Sequence, residues 1–331
     1  MLIDSFGRTL DYLRVSITDR CNLRCLYCMP PQGVKWTPHE SILTFEEILG
    51  LTGIMSQLGV KHVKVTGGEP LLRRVVSSFM KNLKTIPGIE SVTMTTNGIL
   101  LGEYLNEDAG QDSLPDGINI SLDALNREQY RHITRSEADP KTILLLIESL
   151  LEKNIKVKIN CVPMRGVNEN QIIPITSLAK EKNIIVRFIE LMPFGFAGNF
   201  APVPGQETAQ MIEMAFGPLS PFNGICGNGP AVYYSLAGFT GKIGFINAVS
   251  CGFCETCNRL RLTSRGLLKL CLAEDYGMDL REAIRNGRTD RWLVRAIAEF
   301  AAGKPKNHSF CEIPGEATRG KIDFYMSGIG G

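Results

Sequence analysis

Two groups of three cysteines are the residues of this chain best suited to chemistry. The first group, Cys21, Cys25 and Cys28, has the spacing CxxxCxxC, and no other cysteine follows before Cys161. A closed structural metal site takes four protein ligands, whereas three thiolates on a [4Fe–4S] cluster leave one iron open to a small molecule. The spacing favours such an open cluster, and a zinc knuckle completed by a distant His or Cys is the alternative.

The second group lies in the C-terminal part of the chain and comprises Cys254, Cys257 and Cys271. Cys251 precedes it and completes a CxxCxxC run, so a closed zinc site with four cysteines is an open alternative. The CxxC pair is followed directly by three arginines, Arg259, Arg261 and Arg265. Their planar guanidinium groups suit phosphate oxygens, which points to an anionic ligand held beside a second cluster.

Six runs rich in β-branched and apolar residues have to position these cysteines. The runs are LDYLRVSIT (10–18), HVKVTGG (62–68), SVTMTTNG (91–98), GINISLDA (117–124), KVKINCV (156–162) and IVRFIELM (185–192). Helical intervals separate them, so the alternation predicts a parallel sheet with right-handed crossovers. We expect an α/β fold that forms a partial, incomplete TIM-type barrel of about six βα units, ahead of a doubly wound sheet.

The first cysteine group directly follows the first of these runs. Loops after the carboxyl ends of parallel strands converge on one face of a barrel, where active sites lie. From about residue 193 to 230 the sequence becomes rich in glycine and proline, and shorter strand-like pieces follow. We therefore predict a barrel over residues 1–225 and a smaller C-terminal region over residues 226–331 that carries the second cysteine group.

The charge balance restricts the classes of partner. The chain of 331 residues has 36 basic and 34 acidic residues, and its net charge of +2 gives no support for a generic nucleic-acid or membrane-surface role. The first residues lack the apolar region of a signal peptide, and the most apolar run is too short to span a bilayer. We expect a cytoplasmic protein, in which the ten cysteines serve metal binding rather than disulfides.

Several short motifs resemble those of the radical S-adenosylmethionine (SAM) superfamily. They are CxxxCxxC with Tyr27 before its last cysteine, TGGEP (66–70), TTNG (95–98) and SLDA (121–124). In TGGEP, two glycines let the backbone approach a ligand closely, and either the backbone carbonyls of this turn or Glu69 are candidate acceptors for a ligand ammonium group. The stretch FCETCNRLRLT (253–263), Cys271 and the terminal double glycine resemble the GTP 3′,8-cyclase family of molybdenum-cofactor biosynthesis, over the chain from about residue 5 to its last residue.

The resemblance implies two [4Fe–4S] clusters, one on each cysteine group, and a set of ligand contacts. The implied SAM contacts are Tyr27, Gly68, Ser121 and Met192. The implied GTP contacts are Arg14, Lys64, Thr95, Lys158, Arg259 and Arg261. Arg14, Gly330 and Gly331 are implied in catalysis. Position 64 is commonly Arg in the family, so the lysine here loses a bidentate phosphate contact.

The resemblance also implies a lyase-class reaction. SAM cleavage would give a 5′-deoxyadenosyl radical that takes hydrogen from ribose C3′ of GTP, after which C3′ adds to guanine C8. Reduction and protonation would yield (8S)-3′,8-cyclo-7,8-dihydroguanosine 5′-triphosphate in the first step of molybdopterin biosynthesis. The implied partners are an external electron donor and a downstream cyclic pyranopterin monophosphate synthase, and a homodimer is a further expectation.

Basic residues within the strand runs also indicate a ligand with several negative charges. Arg14, Lys64 and Lys158 lie within apolar runs, where an unpaired cation is costly, and a triphosphate inside the barrel would compensate them. Outward-facing cations or buried ion pairs with acidic neighbours are the alternative. Two other functional classes stay open: another radical SAM enzyme with an auxiliary cluster, such as a peptide-modifying one, and a non-enzymatic zinc-binding interaction protein.

Overall fold

A computed structural model describes residues 1–107, 110–193, 195–250, 252–308 and 328 of the chain. Its strands are β1 (Tyr12–Ser16), β2 (His62–Thr66), β3 (Ser91–Thr96), β4 (Gly117–Ser121), β5 (Lys156–Cys161), β6 (Ile185–Ile189), β7 (Ser220–Pro221), β8 (Val232–Ser235), β9 (Lys242–Ile246), β10 (Arg259–Leu262), β11 (Leu267–Lys269) and β12 (Met278–Asp279). Its α-helices are α1 (Phe45–Gln57), α2 (Val76–Lys84), α3 (Leu101–Asn106), α4 (Arg127–Thr134), α5 (Pro140–Glu152), α6 (Ile172–Glu181), α7 (Gly205–Phe216), α8 (Leu280–Arg285) and α9 (Asp290–Ala302). The predicted runs are confirmed as β1 to β6, and at least one helix separates each consecutive pair.

Local sequence fixes where the longer helices begin. Before α1, the Thr44 hydroxyl accepts from the Glu47 N–H at 3.1 Å, and the Glu47 carboxylate accepts from the Thr44 N–H at 2.7 Å. This capping box satisfies two backbone donors that the first turn leaves free. Helix α5 begins at Pro140, and the Asp139 side chain accepts from the backbone two residues on.

The strands form a single sheet with the order β12-β11-β10-β1-β2-β3-β4-β5-β6-β9-β8-β7 in the described residues. Strands β1 to β6 are all parallel neighbours, as the alternation predicted. The order has two ends rather than closing on itself, so the α/β fold is an incomplete barrel and not a complete one. The expected fold class is therefore confirmed.

Strands from the C-terminal part of the chain extend this sheet at both edges. Strand β10 pairs in parallel with β1, and β9 pairs in parallel with β6. Strands on the two sides of residue 225 are thus hydrogen-bonded in one sheet. The division of the chain into domains at residue 225 stays a prediction.

Alternation along the strands separates a core face from an inner face. Val92, Met94 and Thr96 of β3 are buried, whereas Thr93 and Thr95 between them line the inner face. The core lies between the outer face of the sheet and the helices, where Val15 and Ile120 are fully buried. No helix in the described ranges is long and apolar enough to cross a membrane.

Candidate active site

The inner face of the sheet encloses a cavity of about 850 Å³. Its lining includes the cysteines of both groups, Cys21, Cys25, Cys28, Cys254, Cys257 and Cys271. It also includes the residues predicted to contact SAM and GTP, which are Tyr27, Gly68, Ser121, Met192, Arg14, Lys64, Thr95, Lys158, Arg259 and Arg261. The structure brings together every predicted site residue that it describes. Gly330, Gly331 and Cys251 lie outside the described residues.

The first cysteine group forms a tight loop after β1. The Cys28 N–H donates to the Cys25 carbonyl at 2.9 Å, and the Leu23 N–H lies 3.4 Å from the Cys21 sulfur. Burial, with Cys21 as a neighbour, raises the pKa of the Cys28 thiol to about 12, and burial raises the pKa of Cys21 to about 11. The thiols therefore stand close enough to oppose one another's ionisation, which an iron-bound state would reverse by displacing their protons.

The glycine turn after β2 packs against the start of this cysteine loop. The Gly68 N–H donates to the Thr18 carbonyl and the Glu69 N–H donates to the Arg20 carbonyl, both at 2.7 Å. A methyl group on Gly68 would lie 2.3 Å from the Arg20 carbonyl oxygen. Glycine is therefore required here by the close approach of two backbones.

The Glu69 carboxylate is bonded to the end of β3 and to the loop after it. It is fully buried and accepts from the Thr96 hydroxyl and the Asn97 N–H at 2.7 Å, and from the Leu71 N–H at 3.1 Å. Burial raises its pKa to about 7. These bonds use three of the acceptor positions of the carboxylate and link the turn to the loop after β3; acceptance from a ligand ammonium stays a prediction.

The predicted SAM residues lie at the carboxyl ends of strands. Ser121 ends β4, and Met192 follows β6 and packs against Ala273 together with Cys271. The Tyr27 hydroxyl donates to the Asp123 carboxylate at 2.7 Å, and the same carboxylate accepts from a backbone N–H after β5 at 2.8 Å. Asp123 thus fixes the Tyr27 ring between two strand ends, and burial raises the pKa of Asp123 to about 6.

Three cations occupy adjacent positions on neighbouring strands. Arg14 in β1 lies directly beside Lys64 in β2 on one side and beside Arg261 in β10 on the other. Like charges at opposed positions destabilise a sheet. Lys64 is 7% exposed, and burial together with Arg187 and Arg14 lowers its pKa well below 10.5. An anionic ligand at this row would relieve both the repulsion and the cost of burial.

Two more cations face the same space from β5 and β6. Lys158 donates to the Cys226 carbonyl, and burial, followed by Arg187, lowers its pKa to about 8. The Arg187 guanidinium donates to the Asn160 side-chain oxygen at 2.9 and 2.6 Å. Within the described part of the chain, Lys64, Lys158 and Arg187 form no ion pair with a carboxylate. The alternative of buried ion pairs with acidic neighbours therefore does not apply to these three side chains within the described residues.

The second cysteine group is closely associated with Arg259. The Arg259 guanidinium lies 3.5 Å from the Cys257 sulfur and stacks over the Phe253 ring, 4.5 Å from its centroid. Burial alone would raise the pKa of Cys257, but Arg259 and Lys304 bring it down to about 7. This thiol is therefore held closer to its ionised, metal-binding form than the thiols of the first group.

Comparison with known proteins gives matches along almost the whole chain. Residues 15–179 match the model of the radical SAM superfamily, and residues 184–310 match the model described as Molybdenum Cofactor Synthesis C. A protein named GTP 3′,8-cyclase from Clostridium perfringens (strain 13 / Type A) is 43% identical over 93% of this chain and 94% of its own length. The protein of the same name from Petrotoga mobilis is 43% identical over the full length of both chains. The chain belongs to the GTP 3′,8-cyclase family.

Solved structures support the fold of this cyclase-family chain at lower sequence identity. The crystal structure of Streptococcus suis SuiB bound to the precursor peptide SuiA has a TM-score of 0.57 and 14% identity, covering 88% of this chain and 67% of that one. Streptococcus suis SuiB without the peptide gives a TM-score of 0.56 with 15% identity. At this identity the likeness concerns the fold alone.

Membership of the GTP 3′,8-cyclase family and the radical SAM superfamily implies an iron–sulfur cluster and SAM, and the donor set fits both. Eight cysteines among the described residues are free, and those of the first group share one loop in the cavity wall. Three mutually close thiols without a fourth are the donor set that leaves one iron open. In the ranges that the structure describes, no three or more His, Cys, Asp and Glu side chains are already arranged around a site for a single metal ion, so the fit to a cluster rests on the number of thiols and on the loop that they share.

Sequence reasoning missed three residues that line this cavity. Arg187 could have been found, because it is a cation inside an apolar strand run just as Lys64 is. Asp123 belongs to the SLDA motif, but nothing in the sequence indicated its hydrogen bond with the Tyr27 hydroxyl. Lys304 follows α9 with no local signal, and the fold alone brings it into the cavity wall.

Proposed function

We propose that this chain is a radical SAM GTP 3′,8-cyclase, a lyase that converts GTP to (8S)-3′,8-cyclo-7,8-dihydroguanosine 5′-triphosphate in the first step of molybdenum-cofactor biosynthesis. The main support is the row of cations that lines the same cavity as the two cysteine groups. A triphosphate carries the charge that such a row requires. A purine base at one end and SAM at the other would place the ribose between them.

Two [4Fe–4S] clusters are part of this proposal, one on Cys21, Cys25 and Cys28 and one on Cys254, Cys257 and Cys271. When bound, the first would supply the electron that cleaves SAM, and the second would offer an open iron to the guanine base. The chain's own contribution is to bind and orient both substrates, since the cofactor brings the reactive species.

Binding of the triphosphate falls to cations that line the cavity. Lys64, Lys158 and Arg187 have no carboxylate partner among the described residues, and Arg14 lies between Lys64 and Arg261 in the sheet register. Each buried cation favours a bound phosphate, because the phosphate removes a desolvation cost that is present without it. Thr95, which accepts from Asn119 at 3.1 Å, adds a neutral polar group to the same wall.

At the other end of the cavity, the chain's residues orient SAM. The glycine turn at Gly68 allows the ligand to approach the backbone, and the Tyr27 ring is held by Asp123 at 2.7 Å. Ser121 offers a hydroxyl at the end of β4, and Met192 offers a side chain that reaches toward Ala273. Enclosure of these groups by the sheet excludes water from a radical reaction that water and stray hydrogen donors would divert.

The remaining parts of the proposal concern partners and location. An external electron donor would supply reducing equivalents, and a cyclic pyranopterin monophosphate synthase would take the product. We also keep a cytoplasmic location, a homodimer and a catalytic role for Gly330 and Gly331 as proposals. The sequence resemblance supports these points.

The test is an anaerobic reaction with SAM, GTP and a reductant, analysed by mass spectrometry and product fluorescence after oxidation. We expect the cyclised triphosphate and 5′-deoxyadenosine in equal amounts. Cys21→Ala/Cys25→Ala/Cys28→Ala should abolish both products, whereas Cys254→Ala/Cys257→Ala should permit SAM cleavage without the cyclised product. Cys161→Ala, at a fully buried core cysteine, is the matched control. Unchanged GTP together with cleaved SAM in the wild type would favour the peptide-modifying class instead.

A further inference from the structure

The second cysteine group is assembled from two separate segments. Cys254 and Cys257 lie just before β10, and Cys271 lies after β11. Three thiols can share one cluster only if these segments keep a fixed separation. Two buried cations outside the cysteine motifs, Arg8 and Lys304, form hydrogen bonds with the backbone of these segments.

Lys304 connects the Cys257 segment to the Cys271 segment. It is 3% exposed, and its ammonium donates to the Arg259 carbonyl at 2.9 Å and to the Leu270 carbonyl. The first acceptor is two residues after Cys257 and the second is one residue before Cys271. One side chain therefore bonds to the backbone beside Cys257 and beside Cys271, and adds to the antiparallel pairing of β10 with β11 that joins the two segments.

Arg8 connects the Cys254 loop to the segment that follows α9. Its guanidinium donates to the Cys254 carbonyl at 2.6 Å and to the Pro305 carbonyl at 2.7 Å, and also to the carbonyls of Lys304 at 3.3 Å and Lys306 at 3.1 Å. Its fifth N–H donates to the Asp4 carboxylate at 2.5 Å. A guanidinium has five N–H donors, so none is left for a substrate.

The same C-terminal segment also contacts a thiol of the group directly. The His308 backbone N–H donates to the Cys254 sulfur. Residues 304–308, which we call the brace segment, are therefore bonded to the Cys254 loop. The Lys304 side chain is bonded to one carbonyl shortly after Cys257 and to another just before Cys271. The brace segment touches every part of the three-cysteine site.

We propose that Arg8 and Lys304 are positioning residues that hold the three thiols of the C-terminal site at the spacing a four-iron cluster needs. Burying two cations is costly, and apolar side chains of similar size would stabilise a core at least as well. Their donors converge on carbonyls beside the cysteines, as outer-shell partners of metal ligands do. This inference rests on the second cluster of the proposed function.

The test isolates the C-terminal site by using the full chain with Cys21→Ala/Cys25→Ala/Cys28→Ala as the parent. Arg8→Gln, Lys304→Met and Lys304→Gln are made in that parent and reconstituted anaerobically with iron and sulfide. Iron affinity is measured by competition with a chelator, and the reduced cluster is examined by electron paramagnetic resonance. Arg73→Gln is the matched control, because Arg73 donates to the Ile17 and Leu43 carbonyls away from this site at 2.7 and 2.8 Å.

We expect Arg8→Gln and Lys304→Met to lower iron affinity about 10-fold to 100-fold and to change the line shape of the spectrum. Lys304→Gln should retain more iron than Lys304→Met, because an amide can still donate to both carbonyls. Arg73→Gln should match the parent. Equal losses in Lys304→Gln and Lys304→Met would assign the effect to charge rather than to carbonyl bonding and would overturn the proposal.

A complementary parent, Cys254→Ala/Cys257→Ala/Cys271→Ala, separates positioning from general stability. In this parent Arg8→Gln and Lys304→Met should leave iron at the first cysteine group unchanged. Equal loss of iron at both sites would show a global effect and refute the positioning role. If the first parent itself binds no iron, the second cluster is refuted. If it binds iron and no variant changes that binding, only the role of Arg8 and Lys304 is refuted.

Discussion

Replacing Lys158 by methionine should make the ligand-free protein more stable while weakening its hold on GTP. Burial, followed by Arg187, lowers the pKa of Lys158 from 10.5 to about 8. Because each pKa unit corresponds to about 1.4 kcal/mol, keeping this ammonium charged costs the folded state roughly 3 kcal/mol at neutral pH. Loss of the bond to the Cys226 carbonyl removes about 1 kcal/mol of stabilisation. The net expectation is a gain of roughly 1 to 2 kcal/mol for Lys158→Met at pH 7.

The pH dependence gives this expectation a definite sign. Below about pH 8, Lys158 is protonated in the folded and the unfolded chain, so the cost is fully present. Between about 8 and 10.5 the folded chain loses the proton first, and wild-type stability rises relative to the variant. The advantage of Lys158→Met should therefore shrink as the pH rises from 7 to 10.

The assay is urea unfolding of the GTP-free protein at both pH values, with GTP binding measured by calorimetry. Lys153→Met, at an exposed lysine after α5, is the control and should change neither quantity. For Lys158→Met we expect GTP affinity to fall about 10-fold to 100-fold, since a hydrogen bond to a charged group contributes about 1.5 to 3 kcal/mol. A variant that is less stable at pH 7, by an amount that does not change with pH, would refute the argument that this cation is held in the cavity at a cost.

Three further changes test other parts of the site. Asp123→Asn should weaken SAM binding about tenfold in equilibrium titrations, because Tyr27 loses a charged acceptor at 2.7 Å; unchanged affinity would disprove the orienting role. Burial raises the pKa of Glu69 to about 7, so wild-type stability should fall relative to Glu69→Gln as the pH rises from about 4.5 to 7, and urea midpoints at pH 5 and 8 measure this. Gly68→Ala should destabilise the chain by about 1 to 3 kcal/mol and lower SAM affinity, since the added carbon would lie 2.3 Å from the Arg20 carbonyl oxygen. A thermal midpoint equal to that of the wild type would contradict the required close approach.

The central strands and most of the site could be predicted because their signals are local. Runs such as KVKINCV carry the alternation of a strand, and Lys158 stands out within its run because a cation there has to face an enclosed polar space. Pairing over long distances carries no such signal. That Tyr12 lies opposite Arg259 depends on the whole intervening chain, so the two extended edges of the sheet were not foreseen.

Side-chain partners were equally out of reach of the sequence. That the Glu69 carboxylate accepts from the Thr96 hydroxyl and the Asn97 N–H depends on the pairing of β2 with β3 and had no local signal. Arg8 and Lys304 lie far from the second cysteine group in the sequence, and folding alone brings their donors to the Cys254 carbonyl and to the carbonyl beside Cys271. Local motifs predicted the cysteine ligands, whereas only the tertiary structure shows which side chains bond to the backbone beside them.

The late pairing of β9 and β10 has a consequence for how the protein is made. A growing chain releases β1 to β6 first, and their two outermost strands then have unpaired backbone groups until residue 262 has emerged. At the usual speed of a ribosome, about 5 to 20 residues per second, the interval between Ile189 and Leu262 lasts roughly 4 to 15 seconds. Open strand edges attract other chains during that time. Production of this protein should therefore respond to chaperone supply and translation rate, and Cys271, the last cysteine of the second group, emerges only after that window has closed.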